Sequence, residues 1–150
     1  MFFPVCIDIK EKQCLVIGGG SLAYKKVQTL LRYGAKINII TKEVREEKIS
    51  EIKDINLVIE EYREQSLDKY FLVIAATDNK SLNDEIVKIC NAKNILVNNI
   101  TSKENMSLRF GAIYEDDDYQ VMVTSHGKKC ANSKGLRDKI ADFIRNTVNK

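Results

Sequence analysis

An α/β fold is predicted, with a parallel sheet carrying helices on both faces, then a small β-hairpin and a C-terminal helix. Three observations predict it. Short apolar runs alternate with helical patterns through the first hundred residues. A glycine triplet, Gly18-Gly19-Gly20, follows the first strong apolar run directly and opens a helical pattern. After about Thr101 the rhythm changes to two strand-like runs around an acidic turn.

Each element has its own local signal. Cys14-Leu15-Val16-Ile17 reads as a buried strand. Ala23, Val27, Leu30 and Leu31 recur at helical spacing, and Gly34 ends that helix. Residues 36–41 (KINIIT) form a second strand, and a short charged helix is expected around 43–53. Residues 57–62 form a third strand. The run 71–77 (FLVIAAT) is the most hydrophobic and should be a central strand. Leu82, Ile86, Ile89 and Cys90 mark the next helix, and 95–100 (ILVNNI) a fifth strand. Strands joined through helices at this spacing imply parallel pairing with right-handed crossovers. Runs 109–114 and 119–125 flank the turn Glu115-Asp116-Asp117-Asp118 and read as a hairpin. A last helix is expected from near Ser133, with Leu136, Ile140, Phe143 and Ile144 on one face. The expected division is 1–101 for the sheet domain and 102–150 for the hairpin and helix.

The composition narrows the class. Apolar residues make up 44% of the chain, enough for a proper core. A net charge of +3 does not demand nucleic acid, although basic residues gather in the tail: Lys128, Lys129, Lys134, Arg137 and Lys139. No apolar run approaches the ~18 residues of a membrane span, and no signal peptide opens the chain. Cys6, Cys14, Cys90 and Cys130 make no C-x-x-C pair; Cys14 and Cys90 read as buried thiols. The expectation is a reduced, cytoplasmic protein without a bound metal.

Residues 18–23 (GGGSLA) fit G-x-G-x-x-[GA] between a strand and a helix, the arrangement of a Rossmann-like dinucleotide-binding domain. Gly18 would allow the tight turn, and Gly20 would let a pyrophosphate approach the backbone. Ala23 is small enough for helix-on-strand packing. The N–H groups at Gly19, Gly20, Ser21 and Leu22 would face phosphate oxygens. The tip of the second strand reads Thr41-Lys42-Glu43. Glu43 on a ribose hydroxyl favours NAD, whereas Lys42 facing a 2′-phosphate keeps NADP possible. Ala75, Ala76 and Thr77 end the fourth strand, where small residues leave room for a cofactor beyond the sheet.

The segments VIGGGSLAYKKVQTLLRYGAKINIIT, AATDNKSLN, LVNNI and VTSHGKK, in this order and with Phe3-Pro4-Val5 and Asp8 before them, resemble the precorrin-2 dehydrogenases, NAD-dependent enzymes of sirohaem synthesis. The resemblance covers nearly the whole chain. It implies a Rossmann domain followed by a strand-rich dimerisation region, hence a homodimer. The longer helical module typical of the family has no counterpart in these 150 residues. It implies NAD-dependent oxidation of precorrin-2 to sirohydrochlorin, on the way to sirohaem or cobalamin.

Two departures from the family pattern stand out. The family carries an acid/base aspartate after the fifth strand, in V-N-x-x-D, where this chain has Thr101. A threonine hydroxyl does not accept a proton near neutral pH unaided. Glu104 taking over, Asn98, Asn99 and Thr101 merely orienting the substrate, and weak catalysis are the open alternatives. The family's Ser-Pro reads Lys129-Cys130 here. The substrate is polyanionic, so Asn99, Lys103, Arg109, His126, Lys128 and Lys129 are the expected substrate contacts. His126 is the only histidine, and iron insertion is not expected from it. Two other readings remain: a tetrapyrrole carrier without dehydrogenase activity, and an NAD(P)-sensing regulatory domain.

Overall fold

A computed structural model describes residues 2–63, 67–125 and 129–148. Five parallel strands form one sheet: β1 (Gln13–Ile17), β2 (Lys36–Thr41), β3 (Ile55–Ile59), β4 (Leu72–Ala75) and β5 (Leu96–Asn99), in the order β3-β2-β1-β4-β5. Helix α1 (Ser21–Arg32) joins β1 to β2, and α2 (Lys80–Ala92) joins β4 to β5. From β1 the chain steps one way and from β4 the other. With right-handed crossovers, α1 and α2 therefore lie on opposite faces. The carboxyl ends of β1 and β4, adjacent strands in the sheet, mark the topological switch point where open α/β sheets bind ligands.

Both faces of the sheet are apolar, because the central strands bury both sets of alternating side chains. On the α2 face, Leu15, Ile17, Val73, Ala75 and Val97 pack with Ile86, Val87 and Cys90. Cys14, Val16, Leu72 and Ile74 have the opposite parity, and Ala23, Val27 and Leu30 are the buried positions of α1. Each fully buried aliphatic side chain contributes about 1.5–3 kcal/mol of hydrophobic free energy. Burial also pushes the thiols of Cys14 and Cys90 up to about 11. They are inert core residues, as expected from the sequence.

Among the described residues, the connection from β3 to β4 carries no helix; Leu67 and Tyr70 from it join the α2-face core. The outer edge of β5 is covered. Ser107 and Leu108 donate backbone N–H groups to the Val97 carbonyl at 3.0 and 2.9 Å, and the Ser107 hydroxyl accepts from Val97 N–H. A parallel edge strand is thus kept from pairing elsewhere.

Residues 109–148, with Phe2, form a second compact unit. It holds an antiparallel pair, β6 (Ala112–Glu115) and β7 (Gln120–Val123), and the helix α3 (Cys130–Phe143), which runs into a π-type turn over Ile144–Val148. The Asp116 carboxylate accepts the N–H groups of Asp118 and Tyr119, closing the hairpin turn. Tyr114, Ala141 and Ile144 form its small core, with Val121 and Ile140 against them.

Several expected elements shift, and the first hairpin strand is Ala112–Glu115, not 109–114. The helix around 43–53 is only a single turn of 3₁₀-helix, Glu47–Ile49. The N–H groups of Arg45 and Glu46 are spent on the Gly19 carbonyl, and Ile49 is the only buried residue of that turn. The third strand is β3 at 55–59, because its register with β2 starts at Ile37↔Ile55 and leaves Glu60 and Glu61 outside. The fourth strand stops at Ala75, where the chain turns away past Gly18. Helix α3 begins at Cys130. Ser133 and Ala141 of this helix, and Ile144 just after it, are buried, while Leu136 and Phe143 are exposed.

Candidate functional site

A cleft of about 340 Å³ opens beyond the carboxyl ends of β1, β2 and β4. Gly18, Gly19 and Gly20 form one wall, Thr41, Lys42, Glu43 and Arg45 a second, and Ala76, Thr77, Asp78 and Asn79 a third. The three glycines do different jobs. Gly18 has a φ of +126°, and a Cβ there would lie 2.1 Å from the Ala76 carbonyl oxygen. Backbone conformation and close approach both require glycine at this position. A Cβ on Gly19 would lie 2.5 Å from the Glu43 carbonyl oxygen and 2.8 Å from Thr41 Oγ1. Gly20 has ordinary extended backbone, and a Cβ on it would meet nothing within 4 Å. Its missing side chain leaves open cleft, the space a bound group would need.

The turn is oriented by its surroundings. Gly18 N–H donates to the Ile40 carbonyl at 2.8 Å. The Gly19 carbonyl accepts from Arg45 N–H and Glu46 N–H, both at 3.0 Å. Helix α1 has no side-chain cap at Gly20, so its first N–H groups are left for a ligand or solvent. The residues therefore fit a dinucleotide: an uncapped helix start, an open cradle at Gly20 and small walls. Ser21 and Leu22 stand exposed in the first turn of α1, and Ala23 is buried beneath it.

At the tip of β2, Thr41 is buried, and its hydroxyl donates to the Glu43 carbonyl at 2.7 Å. Glu43 and Lys42 are exposed on the rim. The Glu43 carboxylate accepts from Arg45 Nε at 3.0 Å, and Arg45 also pairs with Asp78 across the cleft mouth. The hydrogen bond to Glu43, with both carboxylates nearby, raises the pKa of the Arg45 guanidinium above its ordinary value.

Beyond the tip of β4, Thr77 is half-buried and Thr101 exposed, and the amides that connect them, Asn83 and Asn99, are buried. Ala75 faces the α2 core, whereas Ala76 and Thr77 line the cleft. Asn83, on α2, is fully buried and saturates Thr77. Its Oδ1 accepts from Thr77 N–H at 3.2 Å and from the Thr77 hydroxyl at 2.7 Å; its Nδ2 donates to the Thr77 carbonyl at 2.9 Å. The same Nδ2 reaches Thr101 Oγ1 at 3.2 Å. The hydroxyl and N–H of Thr101 donate to Asn99 Oδ1 at 2.8 and 2.9 Å, and Asn99 Nδ2 donates to Asp84 at 3.2 Å.

The structure thus brings Gly18–Gly20, Thr41, Lys42, Glu43, Ala76 and Thr77 together, and ties Thr101 and Asn99 to Thr77 through Asn83. It does not bring Asn98 or Glu104 into the cleft lining. Asn98 has the opposite parity to Asn99 on β5, and its amide donates to the Leu108 carbonyl at 3.0 Å. Glu104 is exposed in the loop after β5, its N–H donating to the Ser102 hydroxyl. Lys103 is exposed in the same loop. In the second unit, the Arg109 guanidinium lies 4.3 Å from the centre of the Phe2 ring. Lys129 is exposed at the start of α3. His126 and Lys128 lie outside the described residues. Among the described residues, no group of three or more His, Cys, Asp or Glu could hold a metal ion. No described helix is long and apolar enough to cross a membrane.

Arg45, Asp84 and Asn83 escaped the sequence reading. Asn83 did leave a signal, since it stands three, four and seven residues before Ile86, Val87 and Cys90. An amide in the buried stripe of a helix needs a partner.

Comparison with known proteins agrees with this geometry. The NAD(P)-binding family model matches residues 5–112. A siroheme synthase of Buchnera aphidicola (subsp. Acyrthosiphon pisum, strain APS) is 35% identical over 98% of this chain, which spans 32% of that protein. Siroheme synthase 1 of Serratia proteamaculans (strain 568) is 33% identical over 95% of the chain, covering 30% of its own length. The chain therefore spans about a third of the length of these curated relatives. Among solved structures, SirC, a precorrin-2 dehydrogenase, shares the fold with a TM-score of 0.77 at 22% identity, over 94% of this chain and 70% of its own. With its glycine turn, its switch-point cleft and a family match over most of its length, the chain belongs to the NAD(P)-binding family.

Proposed function

We propose that the chain is a precorrin-2 dehydrogenase that uses NAD+ to form sirohydrochlorin. The observation that carries this reading is the cleft at Gly20, open where a side chain would stand and flanked by an uncapped helix start. The siroheme synthase relatives and the SirC fold support the choice of substrate. In the reaction precorrin-2 gives a hydride to the nicotinamide and a proton to solvent or a nearby group, yielding NADH and sirohydrochlorin. Bound NAD+ supplies the hydride acceptor; the chain supplies position and electrostatics.

In this reading, N–H groups at Gly19, Gly20 and Ser21 bind the pyrophosphate. Glu43 accepts from a ribose hydroxyl, and Thr77 borders the nicotinamide end. Glu43 at the rim, with Arg45 already held by two carboxylates, favours NAD over NADP. Asn99, Thr101 and the neighbouring Lys103 orient the substrate. The hairpin β6–β7 serves a homodimer. The test is the appearance of NADH absorbance when precorrin-2 and NAD+ meet the folded protein. No turnover sinks the reading; turnover with NADP+ but not NAD+ sinks the cofactor assignment.

A second reading has one observation in its favour. Thr101 offers no carboxylate, and its hydroxyl proton is committed to Asn99. A tetrapyrrole carrier would bind sirohydrochlorin tightly with no dependence on NAD+.

A further inference from the structure

A chain of buried amides joins the cleft to the segment after β5, and its donor and acceptor senses are fixed from both ends. A carboxylate only accepts hydrogen bonds. Asp84 Oδ1 receives Asn99 Nδ2 at 3.2 Å and Asn105 Nδ2 at 2.7 Å. Asn99 must therefore turn its Oδ1 toward Thr101, where it accepts both N–H and O–H. With its proton spent, Thr101 Oγ1 can only accept, and Asn83 Nδ2 fills that role. At the other end, Thr77 N–H can only donate and the Thr77 carbonyl can only accept. Asn83 meets the first with Oδ1 and the second with Nδ2. Both ends demand the same orientation of the Asn83 amide.

Resting on the dehydrogenase reading, we propose that Asn83 is a positioning residue of the reaction. It holds Thr77, at the end of the cofactor cleft, in register with Thr101, and Asp84 fixes the sense of the connection. Asn83 is fully buried beneath both residues and lies outside the cleft lining, so it acts through them. Ala76, next to Thr77, is the residue whose carbonyl crowds Gly18, so a shift of this peptide is felt at the glycine turn.

The test uses Asn83→Asp. It keeps both acceptor contacts to Thr77 N–H and hydroxyl, and loses the donors to the Thr77 carbonyl and to Thr101. NAD+ affinity is measured by titration, turnover by NADH formation, and folding by circular dichroism. The expected result is NAD+ affinity within about three-fold of the parent, with kcat at least ten-fold lower. A Thr101→Val background should absorb part of that loss, because Asn83 and Thr101 act as one unit. Thr101→Val alone should leave NAD+ affinity unchanged. An active parent with an unaffected Asn83→Asp variant overturns this inference alone, as does a loss seen only in NAD+ affinity. Fully additive losses with Thr101→Val overturn the link to Thr101. Should Asn83→Asp fail to fold, Asp84→Asn replaces it, with the same kcat loss expected and the same unaffected result overturning the inference. A parent without turnover overturns the dehydrogenase reading and this inference together.

Discussion

Arg45 and Asn83 both hold the cleft together, but by opposite means. Arg45 sits in the loop after β2 with 54% of its side chain exposed, pairing with Glu43 and Asp78. Asn83 lies fully buried on α2 and pairs with Thr77 and Thr101. Exposed ion pairs gain little, because water and salt screen them and long side chains lose entropy in forming them. A buried amide with every polar atom satisfied is stiff, since any displacement leaves a polar group unpaired where water cannot help. In the proposed reading, the adenosine side of the cleft is thus built to yield, and the nicotinamide side to stay fixed. That division suits a site that must admit a cofactor past one rim and place its reactive end accurately at the other.

The contrast can be broken at four points. Gly18→Ala places a Cβ against the Ala76 carbonyl at a positive φ, and should cost ~3 kcal/mol or more in urea unfolding. A wild-type midpoint would show that the turn has freedom not seen here. Asn83→Leu removes the amide that the Thr77 N–H and carbonyl pair with; denaturant unfolding should show a loss of ~1–3 kcal/mol. A loss no larger than that of an exposed substitution would put the stiff side of the comparison in error. Gly20→Asn keeps a good helix-capping residue, so stability should stay within ~1 kcal/mol, while NAD+ affinity falls at least ~10-fold. Unchanged affinity would mean that the cofactor does not pass over Gly20. Arg45→Ala should leave the melting temperature unchanged and alter NAD+ affinity by less than about three-fold. A large drop in either would make the outer rim a structural clamp.

The sequence displayed the stiff parts of the sheet more clearly than the ends of its elements. Apolar runs such as CLVI and FLVIA and the stripe Ala23-Val27-Leu30 report burial directly, so the strands and helices of the first unit were legible. The segment 43–53 was not. Its charges suit a helix, but the Gly19 carbonyl claims its first N–H groups, and that contact depends on the folded turn. The exposed side of α3 was hidden for a similar reason. Leu136 and Phe143 have helical spacing, yet β6 and β7 receive the face marked by Ala141 and Ile144. The glycine turn was legible as a motif, although the separate tasks of Gly18 and Gly20 needed coordinates. Asn98 and Asn99 look alike in sequence; strand parity sends one toward Leu108 and the other toward Thr101. The amide chain through Asn83 joins residues eighteen apart at one link, and no local pattern announces it.

The double acceptance at the Gly19 carbonyl has a consequence for changing coenzyme preference. A trans peptide points its C=O and the following N–H in opposite directions. With the Gly19 oxygen held by Arg45 N–H and Glu46 N–H, the Gly20 N–H is turned away from that loop. In the proposed reading, the segment that meets the ribose therefore also aims a donor of the neighbouring phosphate cradle. Side chains at 42 and 43 can be exchanged without disturbing this arrangement, since only main-chain donors from 45 and 46 are involved. Loop grafts of altered length, or a proline at 45 or 46, would misdirect the cradle even if the new side chains suited the new nucleotide. Redesign of this rim has to proceed by substitution at constant length.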